Sequence, residues 1–124
     1  MSITIMIVDD SPTMLMSLEG VLTRQGFGVV KATSGEQALA VLKGGTKPAL
    51  LITDLNMGAM DGIQLIREAR RLPGFQFLPM LMLTTESQQA KRQEAKSAGA
   101  TGWLVKPVQP DALLGVIKQV VPGS

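Results

Sequence analysis

Residues 49–62 read ALLITDLNMGAMDG, and this stretch decides the fold. It opens on the apolar run LLI at residues 50–52, which is typical of a strand that is buried on both faces. Asp54 follows directly, and a loop of small residues then leads to Asp61, which can cap a helix. A buried strand that ends in a carboxylate and continues into a helix is one unit of an alternating strand–helix sheet. We therefore predict a strand over residues 49–53 and a helix after Asp61.

The same unit recurs on both sides of this stretch. Short apolar runs predict five strands, over residues 3–8, 28–32, 49–53, 80–84 and 102–105. Each strand is followed by a helical pattern, and the five helices are expected to begin near Ser11, Ser34, Asp61, Ser87 and Pro110. Ser34 and Gln37 have the spacing of a capping box. The alternation predicts an α/β fold with a parallel sheet.

The predicted fourth helix, residues 87–98, differs from the other helices. Its inward face offers little more than Ala90, Ala95 and Ala98, so it buries few apolar atoms. We expect this helix to be loosely held and able to shift.

Composition excludes several classes of function. The chain has 124 residues and neither cysteine nor histidine, so a thiolate metal site is impossible and any role in a phosphohistidine relay is that of the acceptor. A net charge of +2 and 3% aromatic residues argue against nucleic-acid binding. The sequence has neither a signal peptide nor an apolar run long enough to span a membrane. We expect one cytoplasmic, monomeric domain.

Polar side chains follow four of the predicted strands at the point where each strand ends. Because the carboxyl ends of parallel strands lie along one edge of the sheet, these side chains should share one crevice. They are Asp9 and Asp10, Asp54, Thr84 and Thr85, and Lys106.

Three carboxylates in one crevice repel one another, and a hard divalent cation resolves the repulsion. Oxygen ligands of this kind suit Mg²⁺, with Mn²⁺ as a substitute. Asp54, at the centre of the edge, is then a carboxylate nucleophile that can form an aspartyl-phosphate. The cation and Lys106 would neutralise the phosphoryl oxygens, and Thr84 could donate a hydrogen bond to them.

These residues resemble the receiver domains of two-component response regulators. The resemblance covers the whole chain and is carried by Val8-Asp9-Asp10, the stretch from Asp54 to Gly62, Thr84 and Lys106-Pro107. It implies a single receiver domain over residues 1–124. It also implies a flavodoxin-like (βα)5 fold with a five-stranded parallel sheet in the order 2-1-3-4-5.

The resemblance assigns roles to the residues of the crevice. Asp54 would be the phosphoacceptor. Asp10, Asp54 and the backbone carbonyl of Asn56 would bind Mg²⁺ directly, and Asp9 would act through a metal-bound water. The Lys106–Pro107 bond would be cis, which directs Lys106 towards the site.

A second group of residues would report the state of Asp54. By resemblance, Thr84 moves towards the phosphoryl group and the switch aromatic, here Trp103, turns inward. This reshapes the face formed by the fourth helix, the fifth strand and the fifth helix. Trp103 is larger than the family's usual Tyr or Phe, and a fixed packing role is an equal alternative. Thr85 and Glu86 flank the access to the phosphoryl site.

The leading hypothesis is a phosphorylation-dependent interaction switch, which catalyses only its own phosphorylation and dephosphorylation and is not otherwise an enzyme. Its phosphodonor would be a histidine kinase of the chemotaxis type. A flagellar motor switch protein is the candidate output partner, because the positions of Asn56 and Glu86 resemble those of chemotaxis receivers. One alternative is a phosphate sink or adaptor in another two-component pathway. A haloacid-dehalogenase-like phosphatase is disfavoured, because it needs an acid at position 56.

Overall fold

A computed structural model of the chain describes residues 3–123. Within these residues five strands alternate with five helices, as predicted. In chain order the elements are β1 (Thr4–Val8), α1 (Pro12–Arg24), β2 (Gly28–Ala32), α2 (Gly35–Lys43), β3 (Leu50–Thr53), α3 (Gly62–Arg71), β4 (Met80–Thr84), α4 (Gln89–Ala98), β5 (Gly102–Val105) and α5 (Pro110–Val120). The predicted domain limits at residues 1 and 124 lie outside the described residues. None of the helices in residues 3–123 combines the length and apolarity needed to cross a bilayer.

The five strands form one parallel sheet in the order β2-β1-β3-β4-β5. This confirms the predicted flavodoxin-like arrangement. The strand register pairs Val8 of β1 with Thr53 of β3, and Thr84 of β4 with Val105 of β5. The residues that follow these four strands therefore leave the sheet at the same edge, which is what places the site.

Two apolar clusters cover the two faces of the sheet. Alternate residues of β1 and β3 point to opposite faces, so both faces of the sheet are apolar. Helices α1 and α5 pack on one face through their buried leucines and Ile117. Helices α2, α3 and α4 pack on the other face. The chain has the three layers of a doubly wound fold.

The caps of the helices agree only in part with the sequence. Ser11 caps α1, its Oγ accepting a hydrogen bond from the Met14 amide at 3.2 Å. Ser34 caps α2, but the predicted capping box with Gln37 is wrong. In a capping box the Gln37 Oε1 would accept from the Ser34 amide, but here it accepts hydrogen bonds from the amide and the hydroxyl of Thr33. A capping box is instead present at the start of α3, between Asp61 and Gln64.

Helix α4 is as weakly packed as predicted, but it begins two residues later, at Gln89. The first turn is displaced because the Glu86 carboxylate accepts hydrogen bonds from the amides of Ser87 and Gln88. Among the described residues of α4 only Ala95 is buried. The prediction that Ala90 faces inward is wrong, since Ala90 is exposed. The helix is thus held over less of its length than the sequence indicated.

Candidate functional site

Three carboxylates converge at the carboxyl edge of the sheet. Asp9, Asp10 and Asp54 each offer an oxygen, and these oxygens lie within 4.8 Å of one another. Asp9 is buried, Asp54 is half-buried and Asp10 is exposed. The structure therefore brings together the three acids that the sequence placed there, in a crevice that is open to solvent on the side of Asp10.

Asp9 is the most buried of the three, with 3% of its surface exposed. Its Oδ1 accepts a hydrogen bond from the Ser11 amide at 3.0 Å, and its Oδ2 lies 2.9 Å from the Lys106 Nζ. A buried carboxylate needs such partners, because burial without them removes its hydration at a high cost. Asp9 is thus held in one orientation by two donors.

Asp54 is positioned by its own strand and by the loop that follows it. Its amide donates to the Val8 carbonyl at 3.0 Å, which joins the ends of β1 and β3. Its Oδ1 accepts a hydrogen bond from the Leu55 amide at 2.8 Å. The Oδ2 lies 3.7 Å from the Lys106 Nζ and has the freer environment of the two oxygens.

Gly62 is a residue of this site whose role the sequence reasoning missed. Its amide donates to the Leu55 carbonyl at 2.8 Å, which closes the loop after Asp54. A Cβ atom at Gly62 would overlap the carbonyl oxygen of Asp54 and would lie 2.9 Å from the Met82 Sδ. The first turn of α3 can pack this closely against the backbone of Asp54 only because position 62 has no side chain.

Lys106 brings a cation into the crevice from β5. Its amide donates to the Thr84 carbonyl at 2.8 Å, and the Lys106–Pro107 bond is cis, as predicted. Its ammonium forms ion pairs with Asp9 and Asp54. Formally, three carboxylates and one ammonium leave two negative charges, which one divalent cation would balance. The lysine alone cannot neutralise the cluster.

The donor set fits Mg²⁺, which prefers oxygen ligands and takes few of them from the protein. The three carboxylate oxygens are close enough to share one ion. Asn56, the predicted carbonyl ligand, is exposed in the loop after Asp54. Its part in binding a metal stays a prediction.

Thr84, Thr85 and Glu86 continue the chain from β4 at the rim of the crevice. Thr84 is fully buried, and its Oγ1 accepts a hydrogen bond from the Glu86 amide at 3.3 Å. Thr85 is exposed and Glu86 is half-buried. Glu86 folds its carboxylate back onto its own loop, so this side chain closes the loop before α4.

Trp103 lies half-buried on β5, packed against the apolar cluster beneath α4. Its Nε1 donates a hydrogen bond to the Glu86 carbonyl at 3.0 Å. The side chain therefore joins β5 to the loop that begins at Thr84. Nothing in the sequence alone could pair two residues that are 17 positions apart in this way.

Residues 5–118 match the response regulator receiver domain family. The chain belongs to that family. The match begins one residue into β1 and ends within α5, and the carboxylates and lysine of the crevice fall within it. Receiver domains are the signalling switches of two-component systems, so the predicted class of protein is confirmed.

Similar receiver proteins span nearly the whole chain. Protein PilH of Pseudomonas aeruginosa is 33% identical over 119 residues, which are 96% of this chain and 98% of PilH. The chemotaxis protein CheY1 of Helicobacter pylori is 36% identical over 110 residues, with 88% of this chain and 89% of that protein covered. The crystal structure of the chemotaxis protein CheY4 of Vibrio cholerae has a TM-score of 0.93 and 36% identity, with 98% of this chain and all of that chain covered. This receiver therefore has chemotaxis-type homologues.

Proposed function

We propose that Asp54 accepts a phosphoryl group from the phosphohistidine of a histidine kinase, with Mg²⁺ as the cofactor, and that the protein is a phosphorylation-dependent switch. The observation that carries this proposal is the convergence of Asp9, Asp10, Asp54 and Lys106 at one edge of the sheet. Carboxylates clustered around a lysine form a site for a divalent cation and a phosphoryl group.

The transfer uses the Asp54 carboxylate as the nucleophile. An oxygen of Asp54 forms a bond to phosphorus while the phosphorus–nitrogen bond of the phosphohistidine breaks. The imidazole leaves with the electron pair of that bond and takes up a proton. Oδ2 is favoured as the attacking atom, because the Leu55 amide already occupies Oδ1.

Lys106 and the acids divide the remaining tasks. The Lys106 ammonium lies beside Oδ2 and neutralises a phosphoryl oxygen attached there. Asp10, Asp54 and the Asn56 carbonyl would hold Mg²⁺, with Asp9 acting through a water, and Mn²⁺ could substitute. When bound, the cation supplies further neutralisation of the phosphoryl charge.

The state of Asp54 would reach the surface through the loop after β4. Thr84 turns its hydroxyl towards the phosphoryl group and gives up its bond to the Glu86 amide. Because the Glu86 carbonyl accepts a hydrogen bond from the Trp103 indole, a shift of this loop would displace the Trp103 side chain on β5. Thr85 and Glu86 control access to the phosphoryl group. The face of α4, β5 and α5 then changes its affinity for a partner, as a shift between existing states.

The chemotaxis-type relatives favour a partner in the control of motility. A chemotaxis histidine kinase would be the donor and a flagellar motor switch protein the target. We further propose that residues 1–124 work as one monomeric receiver domain in the cytoplasm. On this proposal the chain catalyses only its own phosphorylation and dephosphorylation, and it needs neither nucleic acid nor a membrane.

Phosphotransfer from a kinase carrying labelled phosphohistidine tests the proposal. The wild-type protein should acquire acid-labile label in the presence of Mg²⁺ and none in the presence of a chelator. Asp54→Asn should stay unlabelled, whereas the control Asp111→Asn, which changes an exposed acid of α5, should be labelled like the wild type. Label on Asp54→Asn would refute Asp54 as the acceptor.

A pull-down with protein loaded with beryllofluoride identifies the output. Recovery of a motor component with loaded but not with unloaded protein supports the motor assignment. Recovery of a kinase alone contradicts it and favours the phosphate sink, which shares the same chemistry at Asp54.

A further inference from the structure

Arg70, near the end of α3, makes contacts that the phosphoryl site does not use. Its Nε and Nη2 both donate to the Gly99 carbonyl, at 3.2 and 2.7 Å. Its Nη1 donates to the carbonyls of Phe75 and Gln76, each at 3.0 Å. One guanidinium thus joins the end of α3, the loop before β4 and the residue that caps α4. The planar fork of arginine allows this, because its donors point in fixed, divergent directions.

The fit at Gly99 is close. Gly99 ends α4 in the left-handed conformation, with φ of 113°, and a Cβ atom there would lie 2.9 Å from the Arg70 Nε. Glycine is therefore favoured twice, by the backbone and by the guanidinium. Partial burial lowers the pKa of Arg70 from its ordinary value, but a guanidinium stays charged at neutral pH. Its hydrogen bonds are therefore charge-assisted.

The chain that leaves α4 is fixed as well. The Ala100 amide donates to the Ala95 carbonyl at 3.0 Å, and the Thr101 amide donates to the Met80 carbonyl at 2.7 Å. The Thr101 hydroxyl accepts in return from the Met80 amide at 3.0 Å. Ala95, the buried residue of α4, lies in this half of the helix. The carboxyl-terminal end of α4 is thus joined to both α3 and β4.

The opposite end of α4 has few such bonds. Gln88 at the N-cap position makes no side-chain capping bond, and residues 87–90 are exposed. This end is linked to the loop that carries Thr84 and Glu86, because the Glu86 carboxylate binds the amides of Ser87 and Gln88. The helix is therefore fixed at one end and attached at the other to the loop that adjoins the phosphoryl site.

We propose that Arg70 is a latch that makes the carboxyl-terminal end of α4 a pivot. A movement of the loop at residues 84–88 then swings the amino-terminal half of α4 outward or inward, while Gly99 stays in place.

Amide hydrogen exchange on the unphosphorylated protein tests the latch itself. Arg70→Gln should speed exchange of the Gly99 and Ala100 amides at least tenfold and leave the Arg92 amide unchanged. Arg71→Gln is the matched control, because Arg71 is the next residue, is exposed and pairs with Glu68. It should exchange like the wild type. Wild-type exchange at Gly99 and Ala100 in Arg70→Gln would overturn the proposal, as would equal acceleration along the whole of α4.

A milder variant keeps the test decisive if Arg70→Gln does not fold. Arg70→Lys retains the charge but loses the fork, so it can satisfy fewer of the three carbonyls at once. The exchange rates of its Gly99 and Ala100 amides should lie between those of the wild type and of Arg70→Gln. If Arg70→Gln is unfolded, the comparison is with the wild type only, and both rates should exceed the wild-type rates. No change in Arg70→Lys would then refute the latch.

A second arm rests on the proposed function, because it uses protein loaded with Mg²⁺ and beryllofluoride. Loading of the wild type should change exchange only in residues 87–93. In Arg70→Gln the change should extend through residues 94–100. A wild type that does not respond to loading would contradict the proposed function, whereas the unloaded experiment would still decide on the latch. A response that spreads over all of α4 in the wild type would refute the pivot.

Discussion

The indole Nε1 of Trp103 donates a hydrogen bond to the backbone carbonyl of Glu86, at 3.0 Å. The Glu86 amide in turn donates to the Thr84 hydroxyl at 3.3 Å. Trp103 on β5 and the fully buried Thr84 on β4 are therefore joined through a single residue. These two hydrogen bonds connect the rim of the carboxylate site directly to the surface beside α4.

Trp103→Phe removes the donor and keeps an aromatic ring. We expect the free energy of unfolding to fall by about 1–3 kcal/mol, because a hydrogen bond and part of the packed surface are lost. Urea denaturation followed by circular dichroism measures this. The control is Phe77→Leu, since Phe77 is 95% exposed, and it should change stability by less than about 0.5 kcal/mol. Equal effects of the two variants would show that the indole bond contributes nothing.

Gly62→Ala should be strongly destabilising, because its Cβ would overlap the Asp54 carbonyl oxygen. We expect a loss of at least about 2 kcal/mol of unfolding free energy. Gly115→Ala is the matched control in α5, where a Cβ meets nothing within 4 Å. It should raise stability by about 0.5–1 kcal/mol, because alanine favours a helix. Urea denaturation followed by Trp103 fluorescence measures both, and a loss at both positions would contradict the close approach at Gly62.

Much of the fold could be predicted from the sequence because strands buried on both faces are short continuous apolar runs, whereas amphipathic helices repeat their apolar residues every three to four positions. The strand ends then placed Asp9, Asp54 and Lys106 at one edge, since that edge follows from parallel topology alone. The strand order needed the resemblance to a family. It is fixed by the packing of whole elements, which no local pattern contains.

The errors arose where a distant or competing partner decides the outcome. The late start of α4 depends on the Glu86 carboxylate binding two amides, and the open capping box at Ser34 depends on Thr33. The Arg70 fork reaches across 29 residues to Gly99, which no sequence pattern would indicate. Propensity and periodicity describe local preference and do not predict side-chain contacts at this range.

Asp10→Asn tests the cation site without disturbing its buried part, because Asp10 is exposed. Loss of one charged ligand should weaken Mg²⁺ binding roughly tenfold or more, since about 1.4 kcal/mol is already a factor of ten. Isothermal titration calorimetry measures the Kd. Asp111→Asn removes the same charge from an exposed position on α5 and should bind Mg²⁺ like the wild type. Equal weakening in both variants would mean that the net charge of the protein, and not this site, attracts the ion.

Lys106→Met should affect Mg²⁺ binding and phosphotransfer in opposite directions. The Lys106 ammonium pairs with Asp9 at 2.9 Å and with Asp54 at 3.7 Å, so it competes with Mg²⁺ for the same carboxylates. Its removal should tighten Mg²⁺ binding several-fold, because the cluster formally gains one negative charge. Phosphotransfer should nevertheless slow by about a hundredfold, because a donor to the phosphoryl oxygens is lost.

Calorimetry on the Lys106→Met protein should therefore show a lower Kd for Mg²⁺, and a phosphotransfer time course on the same protein should show a lower rate. Lys118→Met, an exposed lysine of α5, removes the same charge away from the site and should change neither quantity. Weaker Mg²⁺ binding in Lys106→Met would show that the lysine organises the carboxylates and does not compete for them. A wild-type transfer rate would show that the phosphoryl oxygens are neutralised without it.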